Sequence, residues 1–398
     1  MNKYISVLFL GAASAAAPAA TLLAPGAHDQ VPSALAHVQA SGASALERVP
    51  VNVAHALDAA QTIDSTPEPF RAQSREFWSE VGENELRSGV KFNTTAPGAL
   101  IRLSPQGGAG AALDPAGVLI RSGGKTVRAD SGDAAVADTK ALRSAGMDVT
   151  EGTLAMRLSP ALRSGELEIA AAHARGRYLV HVFDANSAVV LDFSADRDSV
   201  LIGTPITFRA DSKDRHLQHA SGLVTAPDGY SANLKFKRGA DGSFSARFTP
   251  DAAHAIGPQL WEAHVFTSTN DGTLSVLRDA KTAFAVSAPT AHFAGAAQTR
   301  SDAAGVHTTF NIEAGAASRF QISGVLYGTA SDGGLRPVAL AQSAAWLDPG
   351  SGSIDLSFDA DIIAASGLHA PFEVHDLRLV DQATMSLIER RERALTIN

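Results

Sequence analysis

The stretch SANLKFKRGADGSFSARFT (residues 231–249) indicates how this chain folds. Apolar residues alternate with polar ones on both sides of a short turn, from Leu234 before the turn to Phe248 after it. Asp241 and Gly242 lie in the turn, and both residue types tolerate the positive φ angles that tight hairpins need. Alternation on both arms together with this turn predicts a β-hairpin that buries one face.

The same texture extends outward and predicts an all-β fold in three blocks. Residues 188–288 hold about seven short apolar or alternating runs in about 100 residues, the number expected of an immunoglobulin-like β-sandwich. One of these runs, PITFRAD (205–211), is apolar at every second position. Residues 66–187 predict an N-terminal β-rich domain, and residues 289–398 predict a C-terminal β-sandwich domain. The expected fold is therefore a tandem array of immunoglobulin-like sandwiches.

The N-terminus predicts export. MNKYISVLFLGAASAAAPAA (1–20) places Lys3 before an apolar run and small residues with A-x-A patterns, the layout of a cleaved signal peptide. The Ala/Pro-rich residues 21–65 predict a lead-in that is either extended or contains a short amphipathic helix. The chain has no cysteine, which excludes disulfides and a lipid-modified cysteine. No later run approaches the roughly 18 apolar residues of a membrane span, so we expect a periplasmic or secreted protein.

Charge argues against nucleic acid as a partner. The formal net charge is −8, and removal of the signal peptide leaves 32 basic and 41 acidic residues. Non-specific binding to nucleic acid depends on a basic surface that neutralises phosphates. The short basic run at Arg390–Arg393 is interrupted by Glu392, which predicts a solvated strand end.

Two stretches resemble a known family. SREFWSEVGENELRSGVKFNTTAPGALIRLSP (74–105) and the pattern GVLYG…PV…AAWL…GSIDLSFDADIIAASGLHAPFEVHDLRLVD (324–381) are similar to an uncharacterised group of exported gammaproteobacterial proteins. That group is catalogued as a domain of unknown function. The resemblance implies tandem immunoglobulin-like sandwiches and export, with type II secretion as one route. It rests on no catalytic motif and carries over no functional residue.

Aspartates supply the main candidate site. The stretch VVLDFSADRDSVLIGTPITFRADSKD (189–214) contains five of them: Asp192, Asp196, Asp198, Asp211 and Asp214. The strand alternation predicts that they are the polar edges of two strands, because the spacing lacks the rest of an EF-hand loop. A calcium ion held by several of them stays open as an alternative. The same two interpretations apply to a second group: Asp355, Asp359 and Asp361.

Other chemistry is weakly signalled. His216 and His219 have no third ligand nearby in the sequence, so they predict loop histidines in preference to zinc ligands. No G-x-S-x-G elbow, P-loop or dinucleotide fingerprint appears. We therefore assign no catalytic, cofactor-binding or metal-binding residue and expect no cofactor. Three tryptophans, one per block, predict one core anchor in each domain: Trp78, Trp261 and Trp346.

The leading hypothesis is an exported, non-enzymatic protein that binds a protein or a surface glycan through loops or strand edges. The alternative is a secreted hydrolase or carbohydrate-active accessory protein that uses acids from different strands, suggested by the acidic positions around Asp196 and Asp359. A third possibility is a structural spacer. Fold alone does not choose among them.

Overall fold

The computed structural model describes residues 19–38, 42–64, 70–107, 111–213, 216–254 and 259–398. All but the last two residues of the predicted signal peptide therefore lie outside the described residues, and its cleavage stays a prediction. The chain forms two compact units. Unit 1 contains both ends of the chain, up to Pro67 and from Ser287 onward, and unit 2 contains Glu68–Val286.

The described residues form short α-helices and many strands. The helices are α1 (Glu83–Ser88), α2 (Thr139–Ser144) and α3 (Ala360–Ser366). The first strands are β1 (Ala19–Ala20), β2 (Val51–Ala56), β3 (Arg71–Ser74), β4 (Glu76–Gly82), β5 (Val90–Thr94), β6 (Leu100–Gln106), β7 (Val118–Ser122), β8 (Lys125–Arg128), β9 (Ala134–Ala137), β10 (Leu154–Leu158), β11 (Gly165–Ala171), β12 (Arg177–Phe183), β13 (Leu191–Ala195) and β14 (Ser199–Leu201). The remaining strands are β15 (Ile206–Asp211), β16 (Leu217–Thr225), β17 (Ser231–Leu234), β18 (Lys237–Arg238), β19 (Phe244–Phe248), β20 (Trp261–Asp271), β21 (Leu274–Ser287), β22 (Ala291–Phe293), β23 (Ala297–Asp302), β24 (Gly305–Ala314), β25 (Ser318–Thr329), β26 (Leu335–Leu347), β27 (Gly350–Asp359), β28 (His369–Asp381) and β29 (Ser386–Ile397).

Unit 2 contains two sandwiches. The first has the sheets β4-β12-β6-β10-β9 and β5-β11-β7-β8, and the second has the sheets β18-β19-β15-β13-β3 and β14-β21-β20-β16-β17. Each pair of sheets shares one apolar core, because every second strand residue points inward. In β15, Ile206 and Phe208 are fully buried while Arg209 is exposed, which confirms the predicted alternation.

A buried charged cluster joins the two sandwiches of unit 2. Arg278, 2% exposed, donates to Asp184 Oδ2 at 3.2 Å and to Ser187 Oγ at 2.7 Å. Asp184 is completely buried and also accepts from the backbone N–H and the hydroxyl of Thr95. Burial of ionised groups requires such partners, so this cluster fixes the junction between the two cores.

Unit 1 is one sandwich built from both ends of the chain. In one sheet, β24 pairs with β27 along one edge and with β23 and β22 along the other, and β1 pairs with β23. The second sheet runs β2-β26-β25-β28-β29. Residues 21–65, expected to be a lead-in, supply β2 and also bond to β29. There Gln30 exchanges two backbone hydrogen bonds with Arg390, at 3.1 and 2.9 Å. Among the described residues between 33 and 49, no α-helix forms.

Some sequence predictions about individual residues are wrong. Arg390 and Arg391 are only 6% and 8% exposed, because acids on β28 and β29 pair with them: Asp376 with Arg390 and Glu389 with Arg391. Single-sequence patterns do not show such partners.

Only one tryptophan is a core anchor. Trp261 is 2% exposed, whereas Trp78 and Trp346 are half-buried. In the other two strands the adjacent residue, Phe77 or Leu347, takes the core position, so the tryptophan faces outward. Each outward ring is covered by an arginine, with guanidinium-to-ring distances of 4.9 and 4.1 Å.

The predicted all-β, multi-domain sandwich architecture is confirmed. The hairpin predicted at 231–249 forms only next to its turn, where β18 pairs with β19 and Gly242 has φ 84°. The prediction is wrong for the first arm, because β17, with Leu234, pairs with β16 in the other sheet. None of the helices in the described part of the chain has the length and apolar composition needed to cross a bilayer.

Candidate functional site

The aspartates of residues 189–214 do not gather at one point. Asp192 and Asp211 lie directly opposite each other on β13 and β15. Asp196 and Asp198 are exposed at the corner after β13, where the Asp196 carboxylate accepts the Thr207 N–H at 3.0 Å. Asp214 lies outside the described residues. The corner aspartates thus serve local structure, while the first pair faces a groove.

The groove follows the outer face of the sheet β18-β19-β15-β13-β3 and has a volume of about 360 Å³. Pockets that bind small ligands are typically about 300–1,000 Å³, so the groove is large enough for a compact ligand. Its lining is polar throughout: Arg71, Gln73, Asp192, Ser194, Arg209, Asp211 and Lys213. Alternation creates this lining, because the intervening residues of β13 and β15 fill the core.

Two cross-strand rows arrange these side chains. One row contains Gln73, Asp192 and Asp211, and the next contains Arg71, Ser194 and Arg209. Two carboxylates directly opposite each other on neighbouring strands repel. Neighbouring donors offset this repulsion and hold each acid in place.

Hydrogen bonds fix the two acids and one of the cations. Gln73 Nε2 donates to Asp192 Oδ1 at 2.9 Å. Arg209 divides its guanidinium between Asp211 Oδ2 at 3.2 Å and Asp241 Oδ2 at 2.8 Å. The Arg209 hydrogen bond, with further bonds from Ser243, holds the pKa of Asp241 far below its usual range.

Two cationic side chains of the groove have no partner among the described residues. Within the described part of the chain, neither the Arg71 nor the Lys213 side chain makes a hydrogen bond or an ion pair, and both residues are exposed. Because Arg209 is already occupied, Arg71 and Lys213 are the positive charges that a ligand meets first. The groove therefore combines free cations with carboxylate, amide and hydroxyl groups at fixed positions.

Metal binding gains no support from the described residues. Among them, no three or more histidine, aspartate or glutamate side chains converge as ligands would. Asp355 accepts a hydrogen bond from Thr309 at 2.6 Å, Asp359 precedes α3, and Asp361 is exposed on that helix. His216 and His219 are both exposed.

Sequence reasoning missed half of the groove. Arg71 and Gln73 come from β3, which precedes β13 by more than 100 residues, and only the sheet pairing brings them to Asp192. Alternation does predict that Asp192 and Ser194 share one face of β13, and that Arg209 and Asp211 share one face of β15. No motif in the sequence identifies the neighbouring strand.

Comparisons with known proteins identify the family. Residues 42–184 match the Domain of unknown function (DUF4785) N-terminal domain, and residues 290–398 match the DUF4785 C-terminal domain. A solved DUF4785 family protein from Legionella pneumophila is similar in fold, with a TM-score of 0.73 at 17% identity over 92% of this chain and 98% of that chain. Among proteins with curated function, none matches. The chain belongs to the DUF4785 family.

Proposed function

We propose that this protein is an exported binding protein whose unit 2 groove holds an anionic glycan of a cell surface. The observation that carries the proposal is the pair of unpartnered cations, Arg71 and Lys213, in a groove of about 360 Å³. Export is proposed from the N-terminal residues 1–20, which have the layout of a signal peptide.

The polar lining favours a charged, hydroxyl-rich ligand. Sugar hydroxyls both donate and accept, and they can bond to Asp192, Gln73 and Ser194, while a carboxylate or sulfate on the glycan pairs with Arg71 and Lys213. The described residues of the groove lining include no aromatic side chain on which a neutral sugar ring could stack. Charge is therefore the expected source of affinity for this ligand.

A peptide ligand fits the same features less well. Apolar anchors in pockets usually supply most of the affinity at protein interfaces, and the lining residues that the structure describes offer none. Nucleic acid fits poorly too, because Asp192 and Asp211 would repel phosphates between the two free cations.

Binding of polygalacturonate tests the proposal, with its neutral methyl ester as the matched probe. We expect calorimetry to detect binding of the acid form alone, and the affinity to fall as salt rises because exposed charges are screened. The double variant Arg71→Ser/Lys213→Ser should weaken binding at least tenfold, because each hydrogen bond between charged groups contributes about 1.5–3 kcal/mol.

Lys235→Ser is the control variant, since Lys235 is an exposed cation of the same sandwich that is outside the groove lining. This control should bind as the wild type does. Equal binding of both probes, or an unchanged affinity in the double variant, would refute the proposed ligand chemistry. If a cell-surface protein bound through Arg71 and Lys213 and the glycan did not, the partner would be a protein.

A further inference from the structure

Three side chains form a linear array on the outer face of the unit 1 sheet that contains β24 and β27: Ser357, His307 and Asp302. Ser357 Oγ lies 2.8 Å from His307 Nδ1, which is hydrogen-bond distance. His307 Nε2 lies 3.5 Å from Asp302 Oδ1. A nucleophile, a base and a group that orients the base are the parts of an activated serine.

The strand register creates this array. Ser357 on β27 is directly opposite His307 on β24. The Ala360 N–H donates to the Ala304 carbonyl, so these two residues are a hydrogen-bonded pair. Hydrogen-bonded and non-hydrogen-bonded pairs alternate along an antiparallel ladder. Three positions further on, Ser357 and His307 therefore form a non-hydrogen-bonded pair. Side chains approach most closely in such pairs, which brings the hydroxyl to the ring.

Asp302 is fixed in an orientation that suits its role. Its Oδ1 accepts the Ala304 N–H at 2.8 Å, and its Oδ2 accepts from Arg300 at 2.7 Å. The Ala304 hydrogen bond is the main cause that lowers the pKa of Asp302, with help from Arg300 and His307. An ionised Asp302 favours a proton on His307 Nε2, which leaves the Nδ1 lone pair to accept from Ser357.

The His307 Nε2 atom and the Ser357 backbone N–H are also available to take part in a reaction. His307 Nε2 is buried and has no hydrogen-bond partner among the described residues, so Asp302 at 3.5 Å is the acceptor toward which it can tighten. The backbone N–H groups of successive strand residues point to opposite edges of the strand. Because the Ala360 N–H points toward β24, the Ser357 N–H points to the other edge of β27, where no strand pairs with β27 in the described chain. That N–H can donate to an oxyanion formed at Ser357.

We propose that Ser357 is the nucleophile of an acyl-transfer site, with His307 as general base and Asp302 as positioning residue, acting on esters of short acyl groups. The proposed site lies within unit 1 and does not depend on the groove of unit 2. The exposed polar neighbours Arg300 and Asp355 suit a short acyl group attached to a polar alcohol better than a long alkyl chain.

The reaction balances with water as the only co-substrate. Ser357 Oγ bonds to the ester carbonyl carbon while its proton passes to His307 Nδ1. The carbon–oxygen bond to the alcohol then breaks, and the same proton leaves with the alcohol. Water repeats the sequence on the acyl-serine, which releases the acid and returns a proton to Ser357.

Labelling of the intact protein by a fluorophosphonate tests the proposal, with the modified residue located by mass spectrometry. We expect the label on Ser357 and slow hydrolysis of p-nitrophenyl acetate. Ser357→Ala should abolish both, and His307→Gly should lower the hydrolysis rate at least 100-fold, the size of a general-base contribution. Added imidazole should restore part of the His307→Gly rate, which a structural role would not explain. Asp302→Asn should lower kcat with little effect on KM.

Ser353→Ala is the matched control, because Ser353 is exposed on the same face of β27 and has Asn311 opposite it in place of a histidine. This variant should keep full labelling and hydrolysis. A wild-type protein that takes no label, or takes it at another serine, would overturn the proposal whether or not the variants fold. An unchanged rate in His307→Gly would overturn the assignment of the base.

Discussion

Removal of the Arg278 guanidinium should destabilise unit 2 strongly. Arg278→Met retains most of the aliphatic side chain, but it leaves the fully buried Asp184 carboxylate without its counter-charge. It also removes the donor to Ser187 Oγ and to the Val189 carbonyl, at 2.7 and 3.1 Å. Loss of one partner of a buried ion pair costs about 3–5 kcal/mol.

The expected magnitude lies at the lower end of that range. Thr95 continues to donate two hydrogen bonds to Asp184, at 2.7 and 2.9 Å, so the carboxylate is not left bare. We therefore expect a loss of about 3 kcal/mol. For a unit of roughly 200 residues, each 1 kcal/mol lowers Tm by about 2–4 °C, which gives a fall of about 6–12 °C.

Calorimetry of the intact protein measures this shift. The double variant Arg278→Met/Asp184→Asn should recover at least half of the loss, because neither buried charge remains. Lys91→Met is the control, since its ion pair with Glu166 is 60% exposed on both sides and should contribute little to stability. A shift in Arg278→Met no larger than that of Lys91→Met would refute the reasoning.

Three further changes probe other parts of the chain. Trp261→Ala should lower the free energy of unfolding by about 3–5 kcal/mol, seen as a lower urea midpoint, because this 2% exposed ring packs in the core. Arg393 holds the pKa of Glu373 below its usual 4.5, so this ion pair stabilises the protein above that pH and is lost as pH falls through the lowered pKa. Glu373→Gln should therefore cost about 1.5–3 kcal/mol at pH 7 and progressively less in urea titrations below pH 4.5; an equal loss at pH 3 would contradict this. Gly305→Ala should lower the Tm of unit 1, because Gly305 has φ +139° and a Cβ there would lie 2.0 Å from the Phe358 carbonyl oxygen; an unchanged Tm would show that the turn relaxes freely.

Sequence periodicity predicts which side of a strand a residue faces. It correctly places Phe208 in the core and Arg209 outside, because side chains of a strand alternate strictly. The turn at Gly242 is equally local, but the sequence does not show that β17 leaves the hairpin to pair with β16. Periodicity fails for Trp78, because the adjacent positions 77 and 78 are both apolar and Phe77 occupies the core instead.

Sequence does not predict which strand lies beside which. Gln73 meets Asp192 only because β3 joins the second sandwich, and Ser357 meets His307 across 50 residues. These pairings depend on how whole sheets bury their apolar faces, a property of the packed chain that no local pattern encodes. Both candidate sites are made of such pairings, so the groove is only half predicted and the serine array is not predicted at all.

The shared construction of unit 1 from both chain ends has a consequence for biosynthesis. A ribosome releases β2 and Gln30 early, but their partners β26 and β29 follow some 300 residues later, with β29 ending at Ile397. Unit 2 is contiguous in sequence, so its cores can fold while β2 and Gln30 are still unpaired. A chain that lacks β29 leaves the residues around Gln30 without their bonding partner and open to proteases, so resistance to proteolysis near Gln30 marks a chain that contains β29.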